Sequence, residues 1–104
     1  MYLVSLTLFR VTVNSKRIYT YRLTPSPVVA EEIYRKAIQI LDSSKHIEES
    51  GLNLVYLSVT QNHAKILIHP LVKTKSPATA TVKYVELKNK LKSGINLFWG
   101  ERSD

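Results

Sequence analysis

Residues 17–41 read RIYTYRLTPSPVVAEEIYRKAIQIL, and the chain changes its period within them. Up to Leu23 the large apolar and polar residues alternate every second position, which predicts a strand with two unlike faces. From Ala30 onward, Ala30, Ile33, Ala37 and Leu41 recur at spacings of three and four, with Tyr34 and Ile38 beside them, and this is the apolar stripe of a helix. The switch lies in Thr24-Pro25-Ser26-Pro27. Proline cannot donate to a sheet ladder, Ser26 suits the helix N-cap, and Pro27 suits the first helical position. Glu31 and Glu32 then read as first-turn acids at the positive end of the helix dipole.

The same reading extends in both directions. Residues 2–13 alternate and predict a long strand, joined through a turn at Asn14-Ser15-Lys16 to the strand ending at Leu23. After the helix, residues 42–51 form a polar connection. Residues 52–60 and 64–69 predict a second hairpin across Gln61-Asn62. Residues 73–76 read as a basic loop, and Ser76-Pro77 repeats the cap-plus-proline device to open a helix over 78–92. Gly94 is suited to end that helix, with a short closing strand over 95–99 and a tail beyond it. No internal repeat, low-complexity segment or linker is read. The order strand, strand, helix, strand, strand, helix, strand predicts an α+β fold. The expected form is a ferredoxin-like antiparallel sheet of four to five strands with two helices packed on one face.

With 104 residues there is room for one domain, spanning 1–104, and 44% hydrophobic against 22% charged residues is globular rather than disordered composition. There is no cysteine, so neither a disulfide framework nor a thiolate metal site is expected. No run approaches the roughly 18 apolar residues of a membrane span, so no membrane partner is expected and the cytoplasm is the expected location. Charge gives the first functional signal. Fifteen Lys and Arg against eight Asp and Glu leave a formal charge of +7, which points to a polyanion and above all to nucleic acid. Glu31, Glu32, Asp42, Glu48 and Glu49 lie mid-chain. Arg10, Lys16, Arg17 and Arg22 precede them, and Lys73, Lys75, Lys83, Lys88, Lys90 and Lys92 follow, so a positive face is expected.

Candidate chemistry centres on Gln61-Asn62-His63-Ala64-Lys65-Ile66-Leu67-Ile68. In an unbroken strand His63, Lys65, Leu67 and His69 share one face. The plain reading makes His63 a turn residue and Lys65 an exposed lysine; the functional one makes them a phosphate-facing pair. Tyr19 and Tyr21 share a face, with Arg22 on the other. With Arg10 and Arg17 they read either as a stacking surface for single strands or as a sheet face packed on helices. Ala80, Tyr84, Leu87 and Leu91 form a helical stripe that makes Tyr84 a core aromatic. His46 reads as a surface residue and Trp99 as a core anchor.

In order along the chain, these segments resemble the single-tyrosine (HUH) transposases of small insertion sequences. The match runs through the opening strand over 3–10, the hairpin turn at Asn62, His63 and Ala64 with Ile66-Leu67-Ile68 behind it, and the basic loop over 73–77. It continues through Tyr84–Lys88 to Leu97-Phe98-Trp99-Gly100. In that family two histidines two residues apart hold a divalent cation that polarises the scissile phosphate. Here Lys65 takes the second place, and an ammonium has no lone pair for a metal. The family's nucleophilic tyrosine lies on a further helix after the tryptophan strand, whereas this sequence ends at Asp104.

The resemblance therefore implies a DNA-binding relative with degenerate or absent nicking. It implies phosphate contacts by Arg10, Arg17, Lys65, Lys73, Lys75, Lys83 and Lys88, His63 as a vestigial metal ligand, single-stranded or hairpin DNA as partner, and a homodimer. Two alternatives stand. Tyr84 and Lys88 match the Tyr-x-x-x-Lys spacing of rolling-circle initiators, which implies an active nickase with Tyr84 as nucleophile and Mg²⁺ or Mn²⁺ as cofactor. The other is a non-enzymatic protein that dimerises with a complete transposase.

Overall fold

β-branched and aromatic residues build two hairpins, and each hairpin runs into a helix through a Thr-x-Ser-Pro junction. A computed structural model describes the backbone of residues 1–98 and the side chains of residues 1–93. Strand β1 (Tyr2–Arg10) and strand β2 (Ser15–Thr24) precede helix α1 (Pro27–Leu41). Then come β3 (His46–Ile47), β4 (Asn53–Gln61), β5 (Ala64–Thr74) and helix α2 (Pro77–Phe98). The strands form one sheet in the order β2-β1-β4-β5-β3. The central pair, β1 and β4, is antiparallel over its whole length, from Tyr2 opposite Gln61 to Arg10 opposite Asn53. The short β3 adds to β5 in parallel, so the sheet is mixed at that edge.

This is the α+β arrangement of ferredoxin-like type that the element order predicts. Val4, Leu6 and Leu8 of β1 and Val55, Leu57 and Val59 of β4 point to one side. There they meet Ala30, Ile33, Ala37 and Leu41 of α1 and Ala80, Tyr84, Leu87 and Leu91 of α2 in one buried cluster. Each fully buried aliphatic side chain contributes on the order of 1.5–3 kcal/mol, and the cluster is what holds both helices on the sheet.

The expectation of no internal repeat is overturned. The unit β1-β2-α1 recurs as β4-β5-α2. Thr24, Ser26, Pro27, Ala30, Tyr34 and Leu41 have identical counterparts fifty positions on: Thr74, Ser76, Pro77, Ala80, Tyr84 and Leu91. Their bonds repeat too. Thr24 Oγ1 accepts from Ser26 N at 3.2 Å and Thr74 Oγ1 from Ser76 N at 3.1 Å. Ser26 Oγ accepts from Val29 N at 3.2 Å and Ser76 Oγ from Thr79 N at 3.1 Å, so both serines cap their helices. The register slips beside Val4/Ser5 and beside Val55/Tyr56, leaving Tyr21 and Leu71 as equivalent bulge residues. A pseudo-two-fold axis passes between the paired residues Leu6 and Leu57.

Several boundaries differ from the sequence expectation. β1 ends at Arg10; Val11–Val13 form a 3-10 turn closed by Asn14 in the left-handed region, φ 49°. β5 runs to Thr74, which puts Lys73 on a strand rather than in a loop, and the 42–51 connection contains β3. Glu31 and Glu32 fall in the second turn of α1, where they pair with Arg35 and Lys36 instead of serving the dipole. Residues 95–98 continue α2 rather than forming a closing strand. Glycine inside a helix costs about 1 kcal/mol but does not force an end, and each further residue adds a backbone bond. Trp99 lies outside the described residues.

The crossover between the halves is fastened at one point. Asn53 Nδ2 donates to the carbonyls of Thr74 and Lys75, both at 3.2 Å. A Cβ at Gly51 would stand 2.5 Å from the Thr74 carbonyl carbon, so only glycine permits this approach of backbone to backbone. Because the two caps have the same geometry, Ser26→Ala and Ser76→Ala should each lower stability by about 1 kcal/mol in urea unfolding. A large loss at one serine and none at the other would show that the halves do not carry equivalent loads.

Candidate nucleic-acid interface

The four long strands contain no Asp or Glu, yet they carry Arg10, Lys16, Arg17, Arg22, Lys65 and Lys73. Among the described residues the carboxylates stand on α1 and α2 (Glu31, Glu32, Glu86), and at Asp42, Glu48 and Glu49 in the crossover. Strand periodicity divides the cations between two faces. One face is covered by the helices. The other carries Leu3, Ser5, Thr7 and Phe9 from β1 and Leu54, Tyr56, Ser58 and Thr60 from β4, and among the described residues no element covers it.

On that open face the side chains form a trough of about 290 Å³. Its floor is Ser5, Thr7, Ser58 and Thr60, short hydroxyl residues on the two central strands; Ile18 and Tyr56 rise beside them. Among the described residues, none of these four hydroxyls takes a side-chain partner. Lys16 and Lys65 stand at the two ends. The Lys16 ammonium lies 5.5 Å from the Phe9 ring centre and that of Lys65 lies 5.7 Å from the Tyr56 ring centre. Both contacts are within cation–π range, and they hold flexible lysines over the sheet. Beyond Tyr56 the face opens into an apolar bay of about 830 Å³ bordered by Phe9, Ile47, Leu54 and Ile68, with Lys73 at its rim.

The residues singled out from sequence fall into separate places. Lys65 and Lys73 are on the open face. His63 ends the trough, at the second of two left-handed turn positions, Asn62 φ 52° and His63 φ 67°. That pair of positive angles belongs to a tight two-residue hairpin turn. His69 does not share the Lys65 face. The register slips between Val59 and Thr60, Ile66 is bulged out, and His69 stands opposite Leu57 on the helix side, 3.7 Å from Asp42 Oδ1. Tyr21 is likewise a bulge, so Arg22 joins it on one side, its guanidinium 5.0 Å from the Tyr21 ring centre, instead of alternating away. Tyr19 and Tyr21 pack with the helices, the second of the two readings offered by their spacing.

Arg10 turns to the helix side, where its Nη2 donates to Thr81 Oγ1 at 2.7 Å. Lys83 pairs with Glu86 at 3.4 Å, and Lys75 gives its backbone N–H to Glu48 Oε1 at 3.2 Å. Lys88 sits 5.5 Å from the Tyr19 ring centre on the β2–α2 edge, with Lys92 at 5.8 Å and Arg17 nearby. Tyr84 is 2% exposed, and burial pushes its phenol above the ordinary value, the environment of a core aromatic. Among the described residues no three His, Asp or Glu side chains group so as to hold a metal ion, at His63 or elsewhere. The residues present do not fit a family-type cation site.

Lys16 and the hydroxyl floor were missed in the sequence, although their signal is visible there: carboxylate-free strands, and small polar residues at Ser5, Thr7, Ser58 and Thr60 alternating with large apolar ones. Comparison with protein-family models, with curated proteins and with solved structures gives no match.

At the far end of β5, Glu48 accepts from Thr74 Oγ1 at 2.7 Å and contacts His46 Nε2 at 2.8 Å. These bonds, with that from Lys75, hold the Glu48 carboxyl down at about 2 against an ordinary 4.5. A depressed acid stabilises the fold above its unfolded value and loses that contribution as pH falls. Stability should therefore decline between about pH 4.5 and 2, and Glu48→Gln should flatten that part of the curve. Thermal melts across pH 2–7 check this; identical profiles for the two proteins would remove Glu48 from the account.

Proposed function

We propose that this protein is a DNA-binding domain that holds the sugar–phosphate backbone on the open face of its sheet, and that it binds without cutting. One observation carries the reading: a carboxylate-free face with a lysine held at each end of its trough. Ammonium groups meet phosphate oxygens, and such contacts set position rather than sequence preference. The aromatic rings support this over base stacking. Tyr56 is 6% exposed, and Lys16 and Lys65 lie over the rings that unpaired bases would need. The resemblance to HUH transposases favours DNA among polyanions. Lys65 in place of a ligand and Tyr84 in the core favour binding over strand cleavage.

Labelled single-stranded, hairpin and duplex DNA titrated across a salt series should give a log–log slope of several units. Lys16→Ala and Lys65→Ala should each reduce that slope by about one, uniformly across sequences. Lys90→Ala should leave it unchanged, because Lys90 faces Ser43 and Ser44 at 3.3 and 2.6 Å, away from the sheet. No binding to any of these DNAs at low salt would reduce the +7 charge to a solubilising surface and sink the reading.

A further inference from the structure

The open face has the symmetry of the fold beneath it. The axis between Leu6 and Leu57 relates β1 to β4 at an offset of fifty-one residues, so Thr7 and Ser58 are equivalent, as are Phe9 and Thr60. The outer strands follow. Ile18 pairs with Thr7 and Ile68 with Ser58; Lys16 pairs with Phe9 and Lys65 with Thr60. The bulge at Ile66 thus brings Lys65 to the strand position equivalent to that of Lys16, so the trough has a cation at each end, facing in opposite directions. Their strand positions are six residues apart along β1, about 20 Å, and on opposite outer strands. Thr7 and Ser58, both buried, lie as a matching pair beside the axis.

A single DNA strand has a direction, and a two-fold rotation reverses it. A lone strand crossing the axis would meet the second half of the trough in the opposite polarity from the first. Two antiparallel strands show the same backbone to both halves, which is why two-fold proteins and two-fold DNA sites go together. Resting on the proposed function, we infer that the open face straddles paired DNA, with Lys16 on the backbone of one strand and Lys65 on that of the other. The two halves of one chain then act as the two subunits of a dimer would. Ile18 and Ile68, 59% and 54% exposed, flank the axis without a charge of either sign. Lys73 breaks the symmetry, since its counterpart fifty positions earlier is Leu23.

The test is a duplex in which one strand carries uncharged methylphosphonate linkages, compared with the fully charged duplex in salt titrations. If both backbones are held, neutralising either strand removes about one unit of slope, and the loss is the same for the two strands. In the half-neutral duplexes Lys16→Ala and Lys65→Ala should have equal effects. A protein that follows one strand only would keep its full slope on the half-neutral duplex by choosing the charged strand, and that result overturns the inference while leaving DNA binding intact. Failure to bind the fully charged duplex and every other DNA at low salt removes the proposed function, and the inference falls with it.

Discussion

The antiparallel pairing of β1 with β4 is the constraint from which the rest follows. These strands lie at the centre of the sheet, and their side chains alternate strictly between two environments. Val4, Leu6, Leu8, Val55, Leu57 and Val59 are spent on holding α1 and α2, which leaves Ser5, Thr7, Ser58 and Thr60 to form the opposite surface. A one-residue slip would exchange the two sets, burying hydroxyls under helices and exposing the whole core. The packing that specifies the fold and the chemistry of the open face are therefore the two phases of one period.

Electrostatics follow the same division. A sheet with six Lys and Arg on its long strands and no carboxylate there repels itself, and repulsion of that kind weakens a compact state. The acids are used elsewhere. Glu31 and Glu32 pair along α1, and Glu48 gathers Thr74, Lys75 and His46 at the end of β5. For Lys16 and Lys65 on the open face, aromatic rings take the place of counter-charges. That choice steadies an ammonium without neutralising it, so its full charge stays available to an incoming anion.

Much of the fold was legible because its signals are local. The change from period two to period three or four around Thr24-Pro25-Ser26-Pro27, and its echo at Ser76-Pro77, placed both helices and both hairpins. What was not legible depended on pairing between strands. The bulges at Tyr21 and Ile66 shift the phase of β2 and β5, so alternation counted along the sequence put Arg22 and His69 on the wrong faces. The duplication was hidden because the offset is fifty in the helices and in the outer strands up to the Ile66 bulge, forty-nine beyond it and fifty-one in the central strands, and because the hairpin loops differ in length. Helix α2 outran its expected end since Gly94 permits termination without imposing it. Of the candidate site, Lys65 and His63 were singled out by motif, while Lys16 needed the register that brings it beside Phe9.

A chain made of two like halves also carries a risk in its own assembly. Each hairpin–helix unit presents the same kind of central edge, so the first unit of one molecule is a competent match for the second unit of another. The contact of Gly51 with the Thr74 backbone bears directly on that choice. It clamps the crossover against the strand end it must return to, within the same chain. This small residue is what lets the crossover lie folded back against the end of β5 in its own chain, the arrangement in which the two units of one molecule pair with each other.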